Sequence, residues 1–139
     1  MHTAAVPTAA VPTGRTFVGH AGDAVVRAYF TLAAHLVARE EISRRLARGS
    51  PRTIPAILLA PLALARDFQG AARGAELLRD ALSRAVAANR QAAARLVVVD
   101  AVDDQSASFY RHHGFEPIPE NSRRRVQKMS DIELALSPG

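Results

Sequence analysis

Two apolar runs flanking one amphipathic segment constrain this chain more than any other feature. IPAILLAPLAL (54–64) and RLVVVDA (95–101) are each long enough for a strand buried on both faces. Between them, from Ala72 to about Arg90, Leu78, Leu82 and Ala85 recur on one helical face while Glu76, Asp80 and Arg84 share another. Strand, helix, strand over 54–101 predicts a βαβ crossover and hence a parallel pair. Pro61 lies inside the first run, and proline donates nothing to a ladder. The strand must therefore bulge, end or lack a neighbour there.

The rest of the chain is arranged around this unit. TFVGH, the Gly22-Asp23 turn and AVVRAYFTL predict a β-hairpin. Residues 38–53, strongly charged and ending in Gly-Ser-Pro, read as a short exposed helix or loop. DDQSASFYRHHGF has an Asp-rich helix start and Gly114 as a left-handed cap. FEPIP and RVQKMSDIELAL close the chain as two further strands. The expected fold class is α/β (α+β), a mixed, mostly antiparallel sheet flanked by helices. Residues 1–13 hold a tandem AAVPT; two prolines among small residues predict a disordered tail, with the folded domain spanning 14–139.

Composition narrows the partners. With 139 residues the chain makes one domain. It has no cysteine, which excludes disulfides and thiolate metal sites and makes the reducing cytoplasm the expected location. No apolar run reaches the roughly 20 residues of a membrane span, and the N-terminus lacks a signal-peptide pattern, so no membrane role is expected. The net charge of +5, almost all from arginine, favours anionic partners or reflects a solvated surface. Arg44, Arg45, Arg48, Arg52 and Arg123 to Arg125 are the candidate contacts for nucleic-acid phosphates.

The loop Gln69-Gly70-Ala71-Ala72-Arg73-Gly74 precedes the central helix. A helix start offers unpaired N–H groups and partial positive charge, and small side chains let an anion approach the main chain. The same residues also suit a plain tight turn. No Gly-Lys-Ser/Thr follows, which excludes a nucleotide P-loop.

ALARDFQGAARGAELLRDAL resembles the acyl-CoA-binding signature of the GNAT superfamily of N-acyltransferases, with Gln69 and Gly74 matching and Ala72 replacing its first glycine. SFYRHHGFEPIP resembles the C-terminal motif of that superfamily. Within it, PRTIPAILLAPLAL, VVVDAVDDQSASFYRHHGF and VQKMSDIELAL look most like the acetyltransferase toxins of toxin–antitoxin modules. The resemblance implies acetyl-CoA as co-substrate, an aminoacyl-tRNA amine as acceptor, a ribbon-helix-helix antitoxin as partner, and a homodimer. It implies that Gln69, Gly70, Ala71, Ala72, Arg73 and Gly74 hold the pyrophosphate and that the backbone of Leu62, Ala63 and Leu64 binds the pantetheine arm. Tyr110 matches the tyrosine that protonates the departing thiolate. Relatives carry a strand and two helices before the hairpin, so the resemblance also implies an N-terminally shortened domain. Pro61 and Ala65 depart from the family pattern as well. Two other readings fit these residues: a GNAT fold that binds without catalysing, and an enzyme for a small amine or protein N-terminus. No general base stands out; Asp100 reads as a capping or pairing residue, and His112 and His113 as exposed helix residues with poor spacing for a metal.

Overall fold

The computed structural model describes residues 2–7, 14–20, 26–59, 63–64, 71–89 and 94–137. The strands are β1 (His2–Pro7), β2 (Gly14–His20) and β3 (Val26–Ala38), then β4 (Thr53–Leu59) and β5 (Ala63–Leu64) after the helix α1 (Arg44–Ala47). The helix α2 (Ala71–Ala88) leads to β6 (Leu96–Asp100), and α3 (Asp104–His112) leads to β7 (Glu116–Ile118), β8 (Asn121–Lys128) and α4 (Met129–Leu136). They form one sheet in the order β1-β2-β3-β4-β6-β8-β7, with β5 alongside β3. Every pairing is antiparallel except β4 with β6, the crossover that the two apolar runs predict.

The two faces of the sheet have separate cores. On one, Leu32, Leu59, Val97 and Val99 meet Leu77, Leu78, Ala81, Leu82 and Ala85 of α2, with Tyr110 of α3 and Met129 and Ile132 of α4. On the other, Val37, Ile54, Ala56, Leu96, Val98 and Val126 meet Ile42, Leu46 and Ala47 around α1. The continuous run LVVVD is explained by this: Leu96 and Val98 point to one core, Val97 and Val99 to the other.

Four segments differ from expectation. Residues 2–7, expected as disordered tail, pair antiparallel with β2 as an edge strand. Backbone pairing with a neighbouring strand needs no large side chains, and Pro7 ends the strand at an edge, where a missing N–H costs little. Residues 8–13 lie outside the described residues, as does the Gly22-Asp23 turn. The charged stretch 38–53 is half anchored: Ser43 caps α1 through Leu46 N–H, and Ile42, Leu46 and Ala47 are buried. The apolar run 54–64 is not one strand but two, β4 and β5. MSDIELAL is the helix α4 rather than a strand, because Met129, Ile132 and Leu136 at helical spacing face the α2 core.

Candidate active site

The parallel strands β4 and β6 stay in register from Ala56↔Leu96 to Leu59↔Val99. Further along the chain β5 pairs with β3, with Ala63 opposite Tyr29 and Leu64 opposite Ala28. Leu59 is opposite Leu32, so four steps along this strand match three along β3. The register with β3 is thus offset by one between the two strands, and Pro61 lies outside the described residues. Among the described residues the parallel ladder runs to Leu59↔Val99, and β5 pairs with β3 alone.

α2 begins at Ala71, one residue earlier than its periodicity predicts. Ala71, Ala72, Arg73 and Gly74 therefore lie in the first turn of the helix and not in a loop, and Gly74 is buried. Leu62, Gln69 and Gly70 lie outside the described residues; Ala63 and Leu64 form β5.

Tyr110 sits on α3, the helix that follows β6. Asp103 caps that helix by accepting from Ser106 N–H at 2.8 Å, and the Ser106 hydroxyl accepts in return from Asp103 N–H at 3.1 Å. The helix ends at Gly114, which has φ of +91° as the left-handed cap predicts. Tyr110 is 4% exposed, edge-on to Phe109 and Phe115 at ring separations of 5.6 and 5.7 Å. Burial, and then the nearby Asp100 carboxylate, push its phenol up to about 12. The phenol therefore stays protonated at physiological pH, as a proton donor must.

Asp100, at the end of β6, is held by Arg124 through two parallel bonds, Nε to Oδ1 at 2.7 Å and a second guanidinium nitrogen to Oδ2 at 2.8 Å. The hydrogen bond from Arg124 holds its carboxyl below the ordinary range, which makes Asp100 a pairing residue and a weak base. Another guanidinium nitrogen of Arg124 lies 3.2 Å from His35 Nε2. Because arginine only donates, His35 accepts there and its ring proton sits on Nδ1. Sequence alone does not bring His35 to this pair, 89 residues away along the chain.

The expected phosphate-contacting arginines divide. Arg123 binds Asp104 at 2.8 Å, Arg124 is tied to Asp100, and Arg125 is buried with its guanidinium donating to the Phe115 carbonyl. Arg45 pairs with Glu116. Arg44, Arg48 and Arg52 are exposed. His112 is exposed, and His113 stacks on Phe109 with its ring pK lowered by burial. Among the described residues no group of three potential ligands gathers for a metal, and no helix is long and apolar enough to cross a membrane.

A mixed, mostly antiparallel sheet with, among the described residues, one parallel pair joined through a helix is the fold of the GNAT N-acyltransferases. No family model matches the chain. It is 36% identical over 114 residues to the tRNA-acetylating toxin of Mycobacterium tuberculosis, covering 82% of this chain and 69% of that protein. A crystal structure of a Tyr-to-Phe variant of KacT superposes with a TM-score of 0.81 at 23% identity, over 88% of this chain and 75% of KacT. AtaT complexed with acetyl-methionyl-tRNAfMet superposes with a TM-score of 0.79 at 25% identity, over 90% of this chain and 76% of AtaT. The chain belongs to the family of GNAT-fold acetyltransferase toxins, with KacT and AtaT.

Proposed function

We propose that the chain moves the acetyl group of acetyl-CoA to the free α-amine of an aminoacyl-tRNA and so blocks translation. The observation that carries this reading is the buried Tyr110 of α3, packed in one core with Leu59 of β4, Val99 of β6 and Leu77 and Leu78 of α2. The relative of 36% identity is a tRNA-acetylating toxin, AtaT is complexed with an acetylated aminoacyl-tRNA, and AtaTR is bound with AcCoA. AtaT is also bound to the antitoxin AtaR, and the AtaT–AtaR complex to DNA. By the same likeness this chain takes acetyl-CoA as co-substrate, an antitoxin of the ribbon-helix-helix kind and a second copy of itself.

The chain's own groups divide the work as follows. The first turn of α2, from Ala71 to Gly74, with Gln69 and Gly70 ahead of it, presents main-chain N–H groups to the pyrophosphate. The backbone of Leu62, Ala63 and Leu64 offers hydrogen bonds to the pantetheine arm and to the developing oxyanion. The amine nitrogen bonds to the acetyl carbonyl carbon, the C–S bond breaks, and the Tyr110 phenol gives its proton to the sulfur. The amine's surplus proton goes to solvent. With an ordinary α-amine pKa of about 7.7–8.0, a good share of the nucleophile is already neutral at working pH. A weak, Arg124-bound Asp100 is therefore no obstacle.

Calorimetric titration with acetyl-CoA, followed by acetylation of charged tRNA, tests this. Tyr110→Phe is expected to lower turnover about 10²–10⁴-fold with unchanged acetyl-CoA affinity. Unchanged turnover removes Tyr110 as donor. Failure of the wild-type chain to bind acetyl-CoA at millimolar concentration identifies it as a non-catalytic binding protein. Turnover of a small amine or an N-terminal peptide, but not of aminoacyl-tRNA, relocates the acceptor.

A further inference from the structure

At the opposite end of the parallel pair, where β6 begins and β8 ends, lies a cavity of about 330 Å³. Its floor is apolar, made by the buried side chains of Leu46, Leu96 and Met129. Its lining includes three cations, Arg48, Arg95 and Lys128, against one carboxylate, Glu133. They come from three parts of the fold. Arg48 follows α1, Arg95 precedes β6, and Lys128 ends β8 opposite Leu96.

None of the three cations forms an ion pair with a carboxylate among the described residues. In this they differ from Arg45, Arg123 and Arg124, each of which has its acid. Arg95 is nevertheless held in place: one guanidinium nitrogen donates to the Gly49 carbonyl at 2.8 Å and reaches the Ser50 hydroxyl at 3.5 Å. Lys128 is half-buried, and it begins α4 without any side-chain cap bond. Ser130, in the first turn of that helix, lines the same cavity. Like charges gathered around one cavity repel, and an anion seated among them turns that repulsion into attraction.

We propose that this cavity is a phosphate-binding site, in which Arg48, Arg95 and Lys128 hold one phosphate group, free or from a polynucleotide backbone. A tetrahedral phosphate with several acceptor oxygens suits donors arriving from three directions, with the hydroxyls of Ser50 and Ser130 beside them. A planar carboxylate offers only two oxygens. The site lies at the far end of the β4–β6 pair from the proposed acyl-transfer end, so it binds without reacting. The polynucleotide source rests on the tRNA reading above; the free-phosphate source does not.

The test follows backbone amide resonances of the full chain by NMR during titration with inorganic phosphate and then pyrophosphate. In parallel, uncharged tRNA, which has no amine to acetylate, is bound over a range of salt concentrations. Phosphate is expected to shift the amides of Arg95 and Ser130. The double variant Arg48→Ala/Lys128→Ala is expected to lose those shifts and Lys128→Arg to keep them, with thermal melts confirming that both variants fold. If the backbone of a polynucleotide is the source, the double variant lowers the salt slope of tRNA binding by about two. Phosphate shifts with an unchanged tRNA slope assign the site to free phosphate. No shift with either phosphate, together with an unchanged slope, overturns the proposal. So does an acidic peptide that shifts these amides where phosphate does not.

Discussion

The two faces of the sheet are lined by the same strands and held in opposite ways. One is covered by α2, α3 and α4 and buries an aromatic group, Tyr110, with Phe109 and Phe115 around it. The other is covered by the short helix α1 and the 3-10 turn Arg39–Glu41 before it, and beyond them it carries the polar chain His35, Arg124 and Asp100. Apolar packing is therefore more extensive on the face that also holds the proposed proton donor, while the opposite face adds charge pairs to a smaller core. A face held by packing gives a buried group a fixed position.

Substitutions on the two faces test this contrast directly. Leu77→Ala, at a fully buried position of α2, is expected to cost about 2–5 kcal/mol in chemical denaturation. Leu46→Ala on the α1 face should fall at the low end, about 2 kcal/mol, because a four-residue helix beside solvent can close over the gap. Equal losses would break the contrast. Gly114→Ala forces a left-handed residue and sets its Cβ 3.0 Å from Gln127 Nε2, so about 1–2 kcal/mol should be lost.

Asp100→Asn probes the charged face. The folded carboxyl titrates below its ordinary 3.8, so the stability it adds is full above that value and disappears as pH falls through the folded one. The wild type should lose this increment on acidification while the variant does not; since both partners are partly exposed, it is under about 1 kcal/mol. Tyr110→Phe should change stability at neutral pH least of all. Its phenol is neutral in both states below pH 10, and stability falls as pH rises from there through about 12. Ultraviolet titration of the wild type should show that late ionisation, and the variant should lack it.

Features set by local periodicity were legible in the sequence. The crossover 54–101, the α3 start at Asp103 and the Gly114 cap depend on residues near one another, and the structure has each. The Tyr110 candidate was legible through its motif. Features set by distant partners were not. Residues 2–7 look too small to order because their partner, β2, is supplied by another part of the chain. Arg123, Arg124 and Arg125 look like a free basic run, yet their partners are Asp104, Asp100 and the Phe115 carbonyl. The helix α4 was readable from Met129, Ile132 and Leu136, but its direct join to β8 hides the change of period. The cationic cavity, assembled from three separated segments, has no linear pattern at all.

The offset of one between the Leu32↔Leu59 and Tyr29↔Ala63 registers has a consequence of parity. Along a strand, alternate residues turn their amides to opposite sides, so a slip of one exchanges which residue faces β3 and which faces outward. The outward backbone group at Ala63 or Leu64 is thus chosen by chain length rather than by side-chain chemistry. Replacing the side chain at either position leaves that selection intact, whereas deleting one residue from the intervening stretch inverts it.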